Sequence, residues 1–279
     1  MMELSRNITI GQYVNSGSVL HRLDPRVKVL GLIALIVVIS LVSSFTAFGA
    51  LALFGLFMLA LSRISPRFIA VSLRPAIVFL TVIYVFQVLF YQPSVPHPHT
   101  LWSWGPLSVT VEGLLASALI NLRALLLYYF VNLLTFTTTL VDVADGVESL
   151  LSPLQRIGAP INEASMVMVV ALKFVPIFIS ELERLIKARA ARGVKIDSGN
   201  FITRALNIGP LLVPLILGGF KRAEALTIAM EARGYRGGRG RTKLRRLRLG
   251  ARDIVAFITL GGVCAAVIYL NIHAPVWVR

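Results

Sequence analysis

The sequence predicts an all-α integral membrane protein with about five transmembrane helices and two long, kinked, amphipathic helices on the cytoplasmic side. Three observations predict this class. Of the 279 residues, 56% are hydrophobic and only 15% are charged, whereas about a quarter of the residues of a soluble domain are charged. Five apolar runs approach the roughly 17–25 residues that a membrane span needs. The formal net charge of +15 suits either the cytoplasmic loops of a membrane protein or a nucleic-acid surface.

The apolar runs give the element order. The predicted spans are Val27–Ser43, Thr46–Ser62, Pro75–Tyr91, Gly113–Phe136 and Ile254–Ile272. So few residues separate the first two spans that we expect a tight antiparallel hairpin. The polar start of the chain and the further spans that follow the first apolar run argue against a cleaved signal peptide.

The positions of the basic residues predict the orientation. Of the 28 Lys and Arg residues, 26 lie before or at the very start of the first span, between the second and third, or between residues 137 and 252. The connection Gln92–Glu112 contains none. Because basic segments remain in the cytoplasm, we expect a cytoplasmic N-terminus, an external connection at 92–112 and an external C-terminus.

The segment between residues 137 and 252 is too charged to span repeatedly and too apolar for an ordinary loop. A short amphipathic helix is predicted to begin near Asp142. Two long helices follow, Glu163–Arg192 and about Phe201–Arg233, and each changes from apolar to basic along its length. We expect each to be embedded at one end, to project at the other and to kink near Pro176 or Pro214.

Both long helices end in the tripeptide Ala-Arg-Gly, at Ala191-Arg192-Gly193 and Ala232-Arg233-Gly234. A single Arg-Gly at a helix end is explained by capping, since Gly adopts the left-handed conformation and the cation suits the helix dipole. Two copies on the same predicted side of the membrane favour a paired docking device, because Arg recognises carboxylates with a forked geometry. Spacing alone leaves both interpretations open.

Three segments carry a resemblance to a known family, namely His21–Leu30, Leu172–Pro176 and Lys221–Gly237. Together they resemble the transmembrane T component of energy-coupling factor (ECF) transporters, of the CbiQ-like family and closest to the shared, vitamin-type T component. Lys173 stands where many relatives carry Arg. The resemblance extends from about Gly11 to Asp253.

The resemblance implies a coupling subunit of an ECF-type ABC importer in a prokaryotic cell membrane. Arg192 and Arg233 would each dock into one of two cytoplasmic ATPase subunits, with Ala191, Gly193, Ala232 and Gly234 completing the motifs. The apolar parts of coupling helices 163–192 and 201–233 would support a membrane-embedded, substrate-binding S component that selects a vitamin or metal. ATP would be bound by the partner chains, so this chain would be a non-catalytic subunit without a cofactor.

This interpretation divides the chain into three parts. Residues 1–136 form a membrane domain of four spans, residues 137–252 a cytoplasmic coupling-helix domain, and residues 253–279 a last transmembrane helix. The sequence has no phosphate-binding loop, since Gly237–Lys243 has the wrong order, and no recognisable hydrolase motif. The lone Cys264 permits neither an intrachain disulfide nor a Cys-based zinc site, and no metal site is predicted.

Other polar residues have competing interpretations. Arg123, within the fourth span, either contacts a partner subunit or polar pathway or is held by a structural partner such as Asn121, Asn132 or a neighbouring helix's carbonyl. His97 and His99 either bind a metal or lie in a solvated loop, and Trp102 and Trp104 suit interfacial anchors. The basic run Arg236–Arg248 suits attraction to anionic lipid, with ATPase contact and RNA binding as alternatives.

Two other functional classes compete with a coupling subunit. One is a stand-alone secondary transporter that uses Arg123 in its pathway. The other is a membrane-anchored RNA-binding scaffold that uses the basic run. We expect no nucleic-acid partner, because aromatic residues do not interleave that run.

Overall fold

The structure is a computed structural model that describes residues 14, 16–91, 99–104, 107–193, 201–237 and 250–273. Eight α-helices lie within this part of the chain, and in sequence order they are α1 (Pro25–Leu41), α2 (Phe45–Ser62), α3 (Pro66–Phe90), α4 (Val111–Thr137), α5 (Leu140–Leu151), α6 (Ile161–Ala191), α7 (Phe201–Ala232) and α8 (Ala251–His273). A two-stranded sheet, β1 (Thr100–Trp104) and β2 (Leu107–Thr110), precedes α4, and a 3-10 helix, Ser152–Ile157, follows α5. The all-α class is confirmed.

Five helices among the described residues are long and apolar enough to cross a membrane, namely α2, α3, α4, α6 and α8. The predicted number is confirmed, but the set differs by one member. The predicted span Val27–Ser43 is helix α1, whose 17 residues lie at the lower limit for a crossing. Helix α6, predicted to be only partly embedded, has 31 residues and is the additional member, because Lys173 alone is charged between Ala164 and Ser180.

The described residues form two compact units. The first contains the residues up to Gly146 and those from Gly250 onward, and the second contains Val147 to Gly237. The boundary falls within α5, which therefore continues from the first unit into the second. The first unit thus combines the early helices α1 to α4 with the last helix, α8.

The core of the first unit is apolar and is shared by α1, α2, α4 and α8. Its centre contains Ile39, Phe48, Leu51, Phe130 and Val267. Only Val42, Ser43 and Ser44 separate α1 from α2, so the predicted short connection is confirmed. The two helices pack chiefly against α4 and α8 rather than against each other, so the expected tight antiparallel hairpin is not observed. The side chain of Ser44 accepts a hydrogen bond from the Ala47 amide and so caps the start of α2.

Part of the connection at residues 92–112, for which the sequence predicted only an external position, forms an antiparallel pair of strands, β1 and β2. Thr100 pairs with Thr110, and Trp102 pairs with Val109. Thr, Trp and Val favour strands because their side chains pack well on a pleated surface. Trp102 is half exposed, as an interfacial anchor would be.

In the second unit, polar contacts fix the beginning of α6. The Ser165 hydroxyl donates a hydrogen bond to the Glu148 carboxylate at the end of α5. The Gln155 amide donates to the Asn162 side-chain oxygen at 2.8 Å. Helices α6 and α7 remain helical through Pro176, Pro210 and Pro214, although each proline removes a backbone donor.

Candidate partner-docking site

The two Ala-Arg-Gly motifs occupy the same position at the ends of α6 and α7. Ala191 and Ala232 are the last helical residues. Arg192 is the C-cap of α6, and Arg233 follows the last residue of α7 in the same way. The predicted helix ends are therefore confirmed to within one residue.

Capping explains both glycines. Gly193 has φ of +85° and Gly234 has φ of +76°, in the left-handed region that favours glycine. The Gly193 amide donates to the Ala190 carbonyl at 3.0 Å, and the Gly234 amide donates to the Glu231 carbonyl at 2.9 Å. At the second end the Tyr235 amide also donates to Met230, which completes a Schellman motif.

Capping does not require the arginine side chains. Arg192 and Arg233 are both exposed, and no ion pair or side-chain hydrogen bond from either is found among the described residues. Each lies at the negative end of a helix dipole, which suits a cation. The two guanidinium groups are thus available for carboxylates of another protein.

Helices α6 and α7 contact each other at one crossing. The Arg222 Nη2 atom donates to Glu181 Oε2 at 2.7 Å. Next to this ion pair, a Cβ atom at Gly219 would lie 3.1 Å from the Phe178 ring, so glycine permits the close approach. Glu181 and Arg222 are 41 positions apart, and Arg192 and Arg233 have the same separation.

The sequence reasoning did not identify this crossing. It used the 41-residue separation only for the two motifs. The same separation of 41 residues also relates positions before the motifs in each helix. It pairs the acidic Glu181 with the basic Arg222, and the aromatic Phe178 with Gly219. That complementarity was the available signal.

The first half of α6 presents an apolar surface. No residue of α6 is buried, and Val167 is 69% exposed. Within the second unit, a groove of about 590 Å³ runs along α6 from Glu163 to Phe178 and is closed on one side by Met230 and Tyr235. The Schellman turn after α7 places Tyr235 here, so the second motif also shapes this surface.

The first of the three family-like segments, His21–Leu30, joins helices of the first unit. The Asp24 amide donates to Asp253 Oδ1 at 2.8 Å, at the start of α8. The Lys28 ammonium donates to the Thr137 carbonyl at 3.0 Å, at the end of α4. These contacts make the segment a structural junction.

Both ring nitrogens of His21 in this junction lie within hydrogen-bond distance of a partner. Its Nε2 atom lies 2.7 Å from the Val14 carbonyl, which only accepts, so Nε2 carries the proton. Nδ1 then accepts from the Ser18 hydroxyl at 2.7 Å. Burial lowers the pKa of His21 below its usual value of 6.5, because burial disfavours the charged ring.

Arg123 contacts the connection between α1 and α2. Its Nη2 atom donates to the Val42 carbonyl at 2.6 Å, and Val42 is the C-cap of α1. From α8, the Asn271 side-chain oxygen accepts from the Ser43 amide at 2.9 Å and the Ser44 amide at 3.1 Å. Among the two interpretations of Arg123, this geometry favours the structural partner, a neighbouring helix's carbonyl.

Two other sequence features lie largely outside the described residues. His97 is outside them, whereas His99 is exposed and its amide donates to Glu112 at 3.3 Å. Of the basic run Arg236–Arg248, only Arg236 and Gly237 are described, and Arg236 is exposed.

Comparison with known proteins identifies the family. Residues 16–244 match the family CbiQ, described as cobalt transport protein. The chain is 40% identical to the energy-coupling factor transporter transmembrane protein EcfT of Thermosediminibacter oceani over 92% of this chain and 95% of that protein. It is 38% identical to EcfT of Clostridium kluyveri over 98% of both chains. The chain therefore belongs to the CbiQ family, together with these EcfT relatives.

Membership agrees with the long apolar helices and makes the chain a multi-pass membrane protein of a prokaryotic cell membrane. EcfT of Streptococcus thermophilus is also 40% identical, over 95% of this chain and 98% of that protein. The family match includes both Ala-Arg-Gly motifs and the crossing of α6 and α7. Both motifs and the crossing therefore lie within the part of the chain that matches the family.

Proposed function

We propose that this chain is the coupling subunit of an ECF-type ABC importer. It transmits the movement of two cytoplasmic ATPase subunits to a separate membrane-embedded S component, which captures a vitamin or another micronutrient. The observation that carries the proposal is the pair of exposed Arg residues, Arg192 and Arg233, at equivalent ends of two crossing helices.

The arginine pair is suited to docking. A guanidinium binds a carboxylate through two parallel hydrogen bonds, and a protruding helix end fits a groove of a partner. Because α6 and α7 end in the same local geometry, two equivalent acidic grooves would receive them. One groove on each of two ATPase subunits supplies that arrangement.

The crossing is suited to transmission. From the Glu181–Arg222 ion pair, each helix continues for about 16 Å to its Ala-Arg-Gly motif, at 1.5 Å per residue. Movement of the two motifs relative to each other would therefore pivot the helices about the crossing. The apolar first half of α6 and its groove would move in response, and they provide the surface for the S component within helices 163–192 and 201–233.

The remaining assignments accompany this proposal. The N-terminus lies in the cytoplasm, residues 137–252 lie on the cytoplasmic side with the apolar ends of α6 and α7 embedded in the membrane, and the C-terminus lies outside. ATP is bound by the partner chains, and this chain carries no catalytic residue, metal or cofactor. The basic run Arg236–Arg248 binds anionic lipid at the membrane surface, with no nucleic-acid partner.

The experiment uses the full-length chain expressed with two ATPase subunits and an S component. The variants Arg192→Ala and Arg233→Ala should each weaken ATPase association by about 2–5 kcal/mol, as expected when one partner of an interfacial charge pair is removed. The double variant should lose co-purification and ATP-driven uptake in liposomes. Lys187→Ala and Lys221→Ala remove exposed charges from the same helices and should retain both.

Three results would contradict the proposal. Unchanged ATPase association in the double variant would remove the docking role of the motifs. Substrate uptake by the purified single chain would favour a secondary transporter that uses Arg123. Recovery of RNA that depends on Arg236–Arg248 and is sensitive to salt and nuclease would favour a scaffold.

A further inference from the structure

The first unit contains an apolar cavity of about 330 Å³ that the proposed function does not use. It lies between α1, α2, α4 and α8, and extends along α1 from Lys28 to Leu35, about 10 Å at 1.5 Å per residue. Its floor is buried and includes Leu35, Phe130 and Leu133. The cavity is therefore closed by buried residues on one side.

The opposite side is open. Phe57 of α2 is 56% exposed, and Val255 of α8 is 59% exposed, and both line the cavity. An opening between two helices that are long and apolar enough to cross a membrane faces hydrocarbon in a bilayer. The atoms that line an empty apolar cavity lack van der Waals contacts on one side. A hydrocarbon chain would restore these contacts, so the lining favours hydrocarbon as the occupant.

One end of the cavity is basic. Lys28 and Arg252 line it together with Thr137. The three donors of the Lys28 ammonium are directed at the His21 carbonyl, the Thr137 carbonyl and the Thr138 hydroxyl. Arg252 is exposed and has no hydrogen bond or ion pair among the described residues. Lys28 thus contributes positive charge, and Arg252 offers free donors.

Three carboxylates, those of Asp142, Asp24 and Asp253, act on the charge of Lys28 at this end. Asp253 accepts from the backbone amides of Asp24 and Gly250, and Asp24 accepts from the Arg26 amide. Arg26 Nε is buried without a hydrogen-bond partner in the described part of the chain and lies 4.0 Å from Asp24 Oδ1. The junction therefore holds three cations, Arg26, Lys28 and Arg252, and three carboxylates, and Arg252 is the cation that has no hydrogen bond or ion pair among the described residues.

We propose that this cavity binds one acyl chain of an anionic phospholipid, with the phosphate at Arg252. The volume lies at the lower end of the roughly 300–1,000 Å³ range of small-molecule sites. An α-helix of another protein is about 10–12 Å wide with its side chains. A 10 Å length of such a helix would need more than twice the volume of this cavity, so a helix does not fit into it. The apolar slot selects a hydrocarbon chain, and the basic end selects a negatively charged headgroup over a zwitterionic one.

The test uses the full-length chain in detergent, purified with the subunits that accompany it. The probe is phosphatidylglycerol with a photoreactive diazirine in one acyl chain, and labelled peptides are identified by mass spectrometry. Label is expected on Phe54–Leu61 and Val255–Leu260. Unlabelled phosphatidylglycerol should compete at least fivefold more effectively than phosphatidylcholine.

Two variants separate the parts of the site. Arg252→Gln should reduce the preference for phosphatidylglycerol about fivefold, the effect of one basic residue near a headgroup, while acyl-chain labelling persists. Ala256→Trp introduces a large side chain at a lining position and should abolish the labelling. Its control, Ala265→Trp, lies on the same helix outside the cavity and should leave labelling unchanged.

The opposite results overturn the proposal. Equal competition by the two lipids, or an unchanged preference in Arg252→Gln, would remove the anionic selectivity. Labelling that is the same in Ala256→Trp and the unaltered protein would place the lipid elsewhere. Photocrosslinks from the cavity to a partner-subunit peptide in place of lipid would assign it to a protein partner. Arg252→Gln changes an exposed side chain, so its result does not depend on whether Ala256→Trp folds.

Discussion

The carboxylate of Glu181 and the guanidinium of Arg222 meet at 2.7 Å where α6 crosses α7. Each side chain is about one-third exposed, and exposed ion pairs contribute only about 0–1 kcal/mol to stability. The pair joins two helices that are each followed directly by one of the equivalent arginines. Because it lies at the proposed pivot, we expect a greater effect on transmission than on folding.

The first prediction separates these two effects. Glu181→Gln and Arg222→Gln should each lower the free energy of unfolding by about 1 kcal/mol or less but should reduce ATP-driven uptake by the assembled transporter. The exchanged double variant, Glu181→Arg with Arg222→Glu, should recover uptake in a double-mutant cycle. Glu224→Gln, an exposed acid on α7, is the control. If Glu181→Gln and Arg222→Gln support the same uptake as the Glu224→Gln control and the unaltered protein, a role for the pair in transmission is refuted.

The second prediction concerns the helix ends. Gly193→Ala and Gly234→Ala place a Cβ atom in the left-handed region and should lower the free energy of unfolding by about 1–2 kcal/mol each. No heavy atom lies within 4 Å of either new Cβ, so the cost comes from backbone conformation. Gly218 is helical and equally open, and Gly218→Ala should be stabilising by up to about 1 kcal/mol. Denaturant unfolding in detergent checks the opposite signs, and identical signs would contradict the capping geometry.

The third prediction concerns Arg123. Arg123→Leu removes the hydrogen bond to the Val42 carbonyl and should lower the free energy of unfolding by about 1.5–3 kcal/mol, the value for bonds to charged groups. Arg123→Lys retains a cationic donor and should recover part of that loss. Arg67→Gln, an exposed charge at the start of α3, is the control. Loss of uptake at unchanged stability would instead indicate a role for Arg123 in a polar pathway.

The fourth prediction concerns pH. Because burial places the pKa of His21 below 6.5, the unfolded chain binds a proton in the range just below pH 6.5 while the folded chain does not. Unfolding then takes up a proton, so stability should fall as the pH falls from 6.5 toward the folded-state pKa. His21→Gln should flatten this dependence in unfolding measurements between pH 7.5 and 5. His99→Gln, which alters an exposed histidine, should retain the slope of the unaltered protein, and equal slopes in all three would exclude the His21 contribution.

Periodic and terminal signals made much of the fold predictable. The short connection between α1 and α2, the helix beginning near Asp142 and the ends of α6 and α7 at the Ala-Arg-Gly motifs all follow from hydropathy and capping residues. Those signals are local, so a single sequence contains them. The hairpin formed by β1 and β2 was missed because charge and hydropathy show only that residues 92–112 lie between two spans.

Contacts between distant residues were harder to predict. Arg123 could be identified as a charge that needs a partner. Its partner is the backbone carbonyl of Val42, and because every residue has such a carbonyl, the sequence does not indicate which one is used. Asp253 and Asn271 act on α1 and on the α1–α2 connection from about 230 positions away, and neither was singled out. Glu181 and Arg222 were predictable in principle, since the separation of the motifs applies to them as well.

The hydrogen bond from Asp24 to Asp253 joins residues 229 positions apart and has a consequence for biogenesis. At roughly 5–20 residues per second, the ribosome needs about 10–50 s to reach Asp253 after it has passed Asp24. During that interval the Asp24 amide lacks its carboxylate partner, and the faces of α1 and α2 that later pack on α8 are uncovered. A nascent chain that stops before α8 therefore presents these sites to the insertion machinery and to membrane proteases, and completion of the last helix closes them.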